Sequence, residues 1–214
     1  DFTTSAWDSF QSDNTTLRAS LPDSNINTNN YANGVVFGSN VNPYQEDVHD
    51  NLTRFLAKKV GFPIEYANAI ADADQGTDEN KNTEPFASVE ARENYHFTTE
   101  QRREEMKKLA YETNDIRLFG EYLHALQDSY SHQLYNIPFE ENLGHIYATS
   151  LPDKTYMRPD LANQMSFHTF IELQNFSKHI GNYSGGAAWS DLKSTVNDFN
   201  LSKTLEQKYE ILGE

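Results

Sequence analysis

The 214-residue sequence contains no cysteine. That absence excludes disulfides, thiolate metal sites and cysteine nucleophiles together, and leaves the redox setting open. Nor is there an apolar run near the roughly 20 residues needed to cross a membrane, and no signal peptide is visible. Basic residues are scarce: 17 Lys and Arg against 32 Asp and Glu give a formal net charge of -15. So acidic a surface repels phosphate backbones and anionic membranes at long range, and no stable nucleic-acid complex is expected. Hydrolysis of a phosphate ester is not excluded, because bound dications reverse the local field.

Apolar residues are also few, at 37%, but 12 Tyr and 13 Phe raise the aromatic share to 13%. Large rings build a core from fewer residues, so the composition fits a folded domain with a polar surface. The length suits one substantial domain rather than two. We expect a monomer.

Residues 1–43 are rich in Asn, Ser, Thr and Asp with scattered rings, which predicts an irregular polar arm. Residues 44–214 read as a helical domain. Val48, Leu52, Phe55 and Leu56 recur at helical spacing until Gly61-Phe62-Pro63 stops them. Further helices are predicted over 64–77, 100–112 (with Thr98-Thr99 as its cap), 114–135, 159–179 and 189–212. The polar stretch 79–93 reads as a loop and 181–186 as a turn. No repeat or strong strand pattern interrupts them, so the expected class is all-α.

With no thiolate to call on, a metal must be held by His, Asp, Glu or a terminal amine, which suits catalytic zinc. The strongest pattern is His124-Ala-Leu-Gln-Asp128-Ser-Tyr-Ser-His132. Positions i, i+4 and i+8 share one helix face, and each adjacent pair can share a metal. The outer histidines stand about 12 Å apart along the axis, too far to bind one tetrahedral ion. Two sites on one helix result, with Asp128 placed to bridge them. Further ligands are offered by His49, by Tyr95-His96-Phe97, by Gly144-His145 and by Asp153. The run Asp72-Ala-Asp74-Gln-Gly-Thr-Asp78 adds three carboxylates, of which Asp78 is the preferred ligand; Asp72 and Asp74 read as solvated. His168 and His179 read as ordinary helix residues without an acidic partner at matching spacing, and the charged run 100–108 as surface.

Taken in order, VHDNLTRFLAKKVGF, IADADQGTD, YHF, LHALQDSYSH and GHIYATSLPD resemble the zinc-dependent phospholipase C and single-strand nuclease superfamily. The match spans roughly residues 48–153. It implies a helical domain with two or three zinc ions (Zn2+) at the bottom of a cleft. Carried over by position, Asp78, His96, His124 and Asp128 would hold one ion. His132, His145 and Asp153 would hold a second, and His49 with bridging Asp128 a third. This chain departs from the pattern in four places, one of them His132, which follows Asp128 by four residues, closer than in the phospholipases. Forty-eight residues precede His49, Asp1 stands where the family has tryptophan, and the acid after Gly144-His145 follows by eight residues rather than four, which makes Asp160 a fallback.

The resemblance implies a phosphodiester hydrolase, with Asp78 also catalytic through its second oxygen. Cleavage of a phospholipid head group is the favoured activity. Single-strand-specific nuclease activity is the first alternative and a non-catalytic metal-binding module the second. The start at Asp1 and the polar arm suit a domain cut from a larger secreted or delivered protein, such as a toxin effector, in an exported setting.

Overall fold

The computed structural model describes residues 46–131, 154–182 and 185–213. The predicted arm over 1–43 and the candidate ligands His132, His145 and Asp153 lie outside the described residues. Every element formed by the described residues is helical, in agreement with the expected all-α class. None of these helices is long and apolar enough to cross a membrane.

A π-helical turn, Asp47–Leu52, leads directly into α1, Thr53–Val60. Gly61 closes α1 at φ 101°, a left-handed conformation that glycine reaches at little cost. Pro63 then opens α2, Ile64–Glu79. A single turn, Val89–Ala91, capped by the Ser88 hydroxyl, passes into a second π-helical segment, Arg92–His96. The predicted loop over 79–93 therefore contains the start of this helical stretch. Thr99 caps α3, Glu100–Thr113, as the Thr-Thr pair predicts. Next come α4, Ile116–Ser131, a 3-10 turn, Thr155–Met157, and α5, Pro159–His179.

The predicted last helix is two: α6, Trp189–Leu201, and α7, Leu205–Leu212. The chain breaks at 202–204, and the Thr204 hydroxyl accepts from Gln207 N to start α7. The Thr-x-x-Gln spacing is a capping signal that runs against one continuous helix.

Helix α4 is central, packed by α2, α3 and α5. The aromatic residues supply the core. Phe119 of α4 stacks on Phe176 of α5 with centroids 4.0 Å apart and planes within 8°, and Tyr111 of α3 meets both edge-on. Helix α7 returns to the first π turn through Lys208. Its buried ammonium bonds Asp47 and, at 2.9 Å, Thr155 Oγ1, and lies 4.6 Å from the Phe199 ring centre. That ion pair ties the far end of the chain to the turn carrying His49.

The contact between α2 and α4 is unusually close at Gly120. A β-carbon there would sit 2.6 Å from Ile70 O and 2.7 Å from Ala73 Cβ. Helix propensity alone would favour alanine at this position by about 1 kcal/mol. Contact with rigid backbone reverses the sign, so Gly120→Ala is expected to destabilise the fold by about 1–3 kcal/mol. Urea unfolding reads this directly; an unchanged or raised midpoint would show that the helices have room to spare.

Candidate metal centre

Four elements converge on one buried cluster. Helix α2 contributes Asp74 and Asp78, α4 contributes His124 and Asp128, and the two π-helical segments contribute His49 and His96. A π turn widens the backbone ring to i→i+5, as in Phe97 N to Arg92 O at 2.8 Å, and such turns are frequent at functional sites. Both π segments among the described residues thus carry a cluster histidine. His49 and His124 are fully buried and His96 nearly so.

Hydrogen bonds decide which ring nitrogens face inward. His96 Nε2 lies 2.8 Å from Thr83 O. A carbonyl only accepts, so Nε2 carries the proton and Nδ1 presents a lone pair to the cluster. His49 Nδ1 lies 2.9 Å from Asp74 Oδ1, which directs its Nε2 towards Asp128 Oδ1 at 3.5 Å. Metal-ligating histidines are commonly oriented by an outer carbonyl or carboxylate in this manner.

His96 Nδ1 and His124 Nε2 then face each other, with Asp78 Oδ1 and Asp128 Oδ2 each within ion-pair reach of both. The histidine nitrogens are 3.0 Å apart. Asp128 Oδ2 lies 3.2 Å from His96 Nδ1 and 3.4 Å from His124 Nε2, and Asp78 Oδ1 lies 3.6 Å from each. Zinc bonds imidazole nitrogen and carboxylate oxygen at about 2.0–2.2 Å, so His96, His124 and Asp128, whose ligand atoms all lie within 4.8 Å of one another, can share one ion. Neither oxygen of Asp78 has a hydrogen-bond partner, although both are buried. A buried carboxylate without donors is costly, and a cation at the centre would satisfy it. The donor set therefore fits a metal ion. His49, Asp78 and His124 form a second group whose ligand atoms all lie within 4.8 Å of one another.

Of the eight residues expected as ligands, His49, Asp78, His96, His124 and Asp128 meet here. His132, His145 and Asp153 fall outside the described residues. Asp160, the fallback, is exposed in the first turn of α5. The reading of Asp74 as solvated is overturned: it is fully buried, with Thr53 Oγ1 donating to Oδ2 at 2.8 Å. The signal was available in the stripe Ala67, Ile70, Ala71, Asp74, where the acid continues the buried face of α2. Asp72 does face solvent, bonded to Arg54 at 3.2 Å. His168 has the acidic partner that its spacing was read as lacking, Glu172 at i+4 and 3.7 Å, and its Nδ1 meets Tyr130 OH at 2.9 Å. Thr53, Thr83 and Gln127, whose Nε2 donates to Thr53 Oγ1, support the cluster without any sequence signature.

Charge is the organising quantity. Burial pushes the His49 imidazole down, but Asp74 and Asp128 hold its pKa well above the usual value. Burial and the His49 charge likewise lower His124, yet Asp128 and Asp78 carry it up to about 9. Burial raises Asp78, with His124 opposing. Asp128 stays well below the usual range despite its burial, because His124, His49 and His96 all face it. A proton on His124 Nε2 thus lies beside His96 Nδ1, Asp128 Oδ2 and Asp78 Oδ1, so proton and metal compete for that nitrogen.

Comparison of the chain with protein-family models, curated proteins and solved structures finds no match.

The competition has a thermal signature. The pKa of His124 rises from 6.5 to about 9 on folding without metal, so its stabilisation is complete below about 6.5 and lost as pH rises through about 9. Metal-stripped protein should melt at progressively lower temperature across that window, and zinc should restore the loss most strongly at its alkaline end. Calorimetry with chelator and with zinc checks both halves; a melting temperature that rises with pH in the stripped protein contradicts the assignment.

Proposed function

We propose that this chain is a zinc-dependent phosphodiester hydrolase of the phospholipase C type. The observation that carries the reading is Asp128. One of its oxygens faces His96 and His124, the other faces His49, and Asp78 stands beside them with both oxygens lacking a donor. A carboxylate shared in this way suits two neighbouring ions, the arrangement that clamps attacking and leaving oxygens in phosphoryl displacement. Zinc supplies Lewis acidity and a water acidified towards neutral pH. The chain's own residues do the rest: His96 and His124 hold position, Asp128 links the two half-sites, and the second oxygen of Asp78 takes a proton from the attacking water.

A phospholipid head group is the favoured substrate. Phe86 is 80% exposed three residues beyond Thr83, whose carbonyl orients His96, so an apolar ring stands on the loop that shapes the centre. The charge of -15 disfavours a polynucleotide. A secreted or delivered setting belongs to the same reading. The alternative of a non-catalytic metal-binding module would hold its ion on protein ligands alone, as structural zinc sites do. Under the hydrolase reading, reaction takes place at the position between His49 and Asp128.

Protein purified without chelator should contain about two or three zinc per chain, and His124→Ala should contain fewer. The loaded protein should cleave phosphatidylcholine faster than single-stranded DNA, and Asp78→Asn should lower kcat by about 10²–10⁴-fold. The reverse preference would favour the nuclease, and bound zinc with neither activity the structural module. No zinc uptake at all would end the metal reading.

A further inference from the structure

Asp74 is the buried carboxylate of the cluster that meets two imidazoles on their Nδ1 side. Its Oδ1 lies 2.9 Å from His49 Nδ1 and 3.4 Å from His124 Nδ1. Beyond those rings, the Nε2 atoms address different oxygens of Asp128, His49 facing Oδ1 at 3.5 Å and His124 facing Oδ2 at 3.4 Å. The two imidazoles lie side by side, centroids 4.2 Å apart and tilted by 32°. Asp74, His49, Asp128 and His124 thus close a ring, with one carboxylate at the inner end and one at the outer end.

We infer that Asp74 is a positioning residue shared by two metal-ligating histidines and that it couples the filling of two cation positions. The inference rests on the metal reading of the site. An outer carboxylate fixes the tautomer and direction of a ligating imidazole and raises its basicity. Here a single oxygen is hydrogen-bonded to His49 Nδ1 and lies within ion-pair reach of His124 Nδ1, which has no hydrogen-bond partner. A cation held at His49 Nε2 would polarise that ring and strengthen its Nδ1–H bond to Asp74. The carboxylate held there is the same one whose charge faces His124. The Asp74 charge also offsets the mutual repulsion of two buried dications, a contribution felt fully only when both positions fill. Thr53 and Gln127 hold the carboxylate from behind through the chain Gln127 Nε2 to Thr53 Oγ1 to Asp74 Oδ2, each step 2.8 Å.

Asp74→Asn tests this with little steric change. The carboxamide keeps an oxygen towards His49, and its NH2 can donate to Thr53, whose hydroxyl then turns to Val48 O at 3.3 Å. Wild-type protein titrated with zinc against a competing chelator should pass from empty to doubly loaded with little singly loaded species. Asp74→Asn should weaken each step by about 10–100-fold and let one-zinc protein accumulate. In the folded wild type, proton spectra should show a hydrogen-bonded Nδ1–H signal from His49; the variant should lose or shift it, which a general loss of packing would not single out.

Stepwise affinities within about twofold of wild type in Asp74→Asn, with the His49 signal in place, would overturn the inference while leaving the metal reading intact. A wild type that binds no zinc would overturn the reading itself. Should Asp74→Asn not fold, Thr53→Val decides by the same measurement. It keeps the charge but releases Oδ2, and is expected to weaken both steps in the same direction by less; unchanged steps would overturn the inference.

Discussion

Three carboxylates cannot share the interior of a helical domain unless positive charge occupies the same space. Asp74, Asp78 and Asp128 meet that condition with three imidazoles, all within hydrogen-bond or ion-pair reach. Burying unpaired charge costs several kcal/mol per ion, so such a cluster survives only where compensation is built in. The fold supplies it through the approach of α2 and α4. Gly120 lets the backbone of α2 come close one turn before His124, which places two acids of one helix against the histidine and acid of the other. The π-helical segments add the remaining histidines from both sides. A regular α-turn at either place would alter the position of the ring, and these are the two places among the described residues where the helix widens.

The surroundings show the same economy. Two of the inward-facing nitrogens are set by an outward bond, His96 to Thr83 O and His49 to Asp74. The outer layer is itself anchored: Thr53 belongs to α1, Gln127 to α4, and Lys208 of α7 bonds the acid two residues before His49. Aromatic packing at Phe119 and Phe176 holds α4 on α5, so the helix carrying His124 and Asp128 is gripped on the face opposite the cluster. Polar geometry of this kind needs a rigid frame, and in a chain with few apolar residues the rings provide it.

The parts of the site that were legible in the sequence are those encoded by spacing on one element. His124 and Asp128 announce themselves by the i, i+4 interval, and Asp78 by its place at the end of an amphipathic helix. His96 and His49 were legible only through their order along the chain, because π turns have no reliable pattern and neither histidine has a local partner. Asp74 was missed for an instructive reason. Beside Asp72 it reads as part of an acidic, solvated pair, yet the two point to opposite sides of α2, one to Arg54 and one to His49. Burial of an acid depends on what another helix brings to meet it. The break between α6 and α7 was missed because continuous amphipathicity outweighed a capping signal at Thr204.

The charges also bear on where chemistry can occur under the proposed reading. The two groups of possible ligands each draw three side chains from the described residues, His96, His124 and Asp128 in one and His49, Asp78 and His124 in the other. Asp128 turns one oxygen to His96 and His124 and the other towards His49. Under the proposed reading this carboxylate would tie two cation positions together, because a shift that suits one would disturb the other. Three protein ligands at a position would also leave room for solvent or a phosphoryl oxygen, as in catalytic zinc sites.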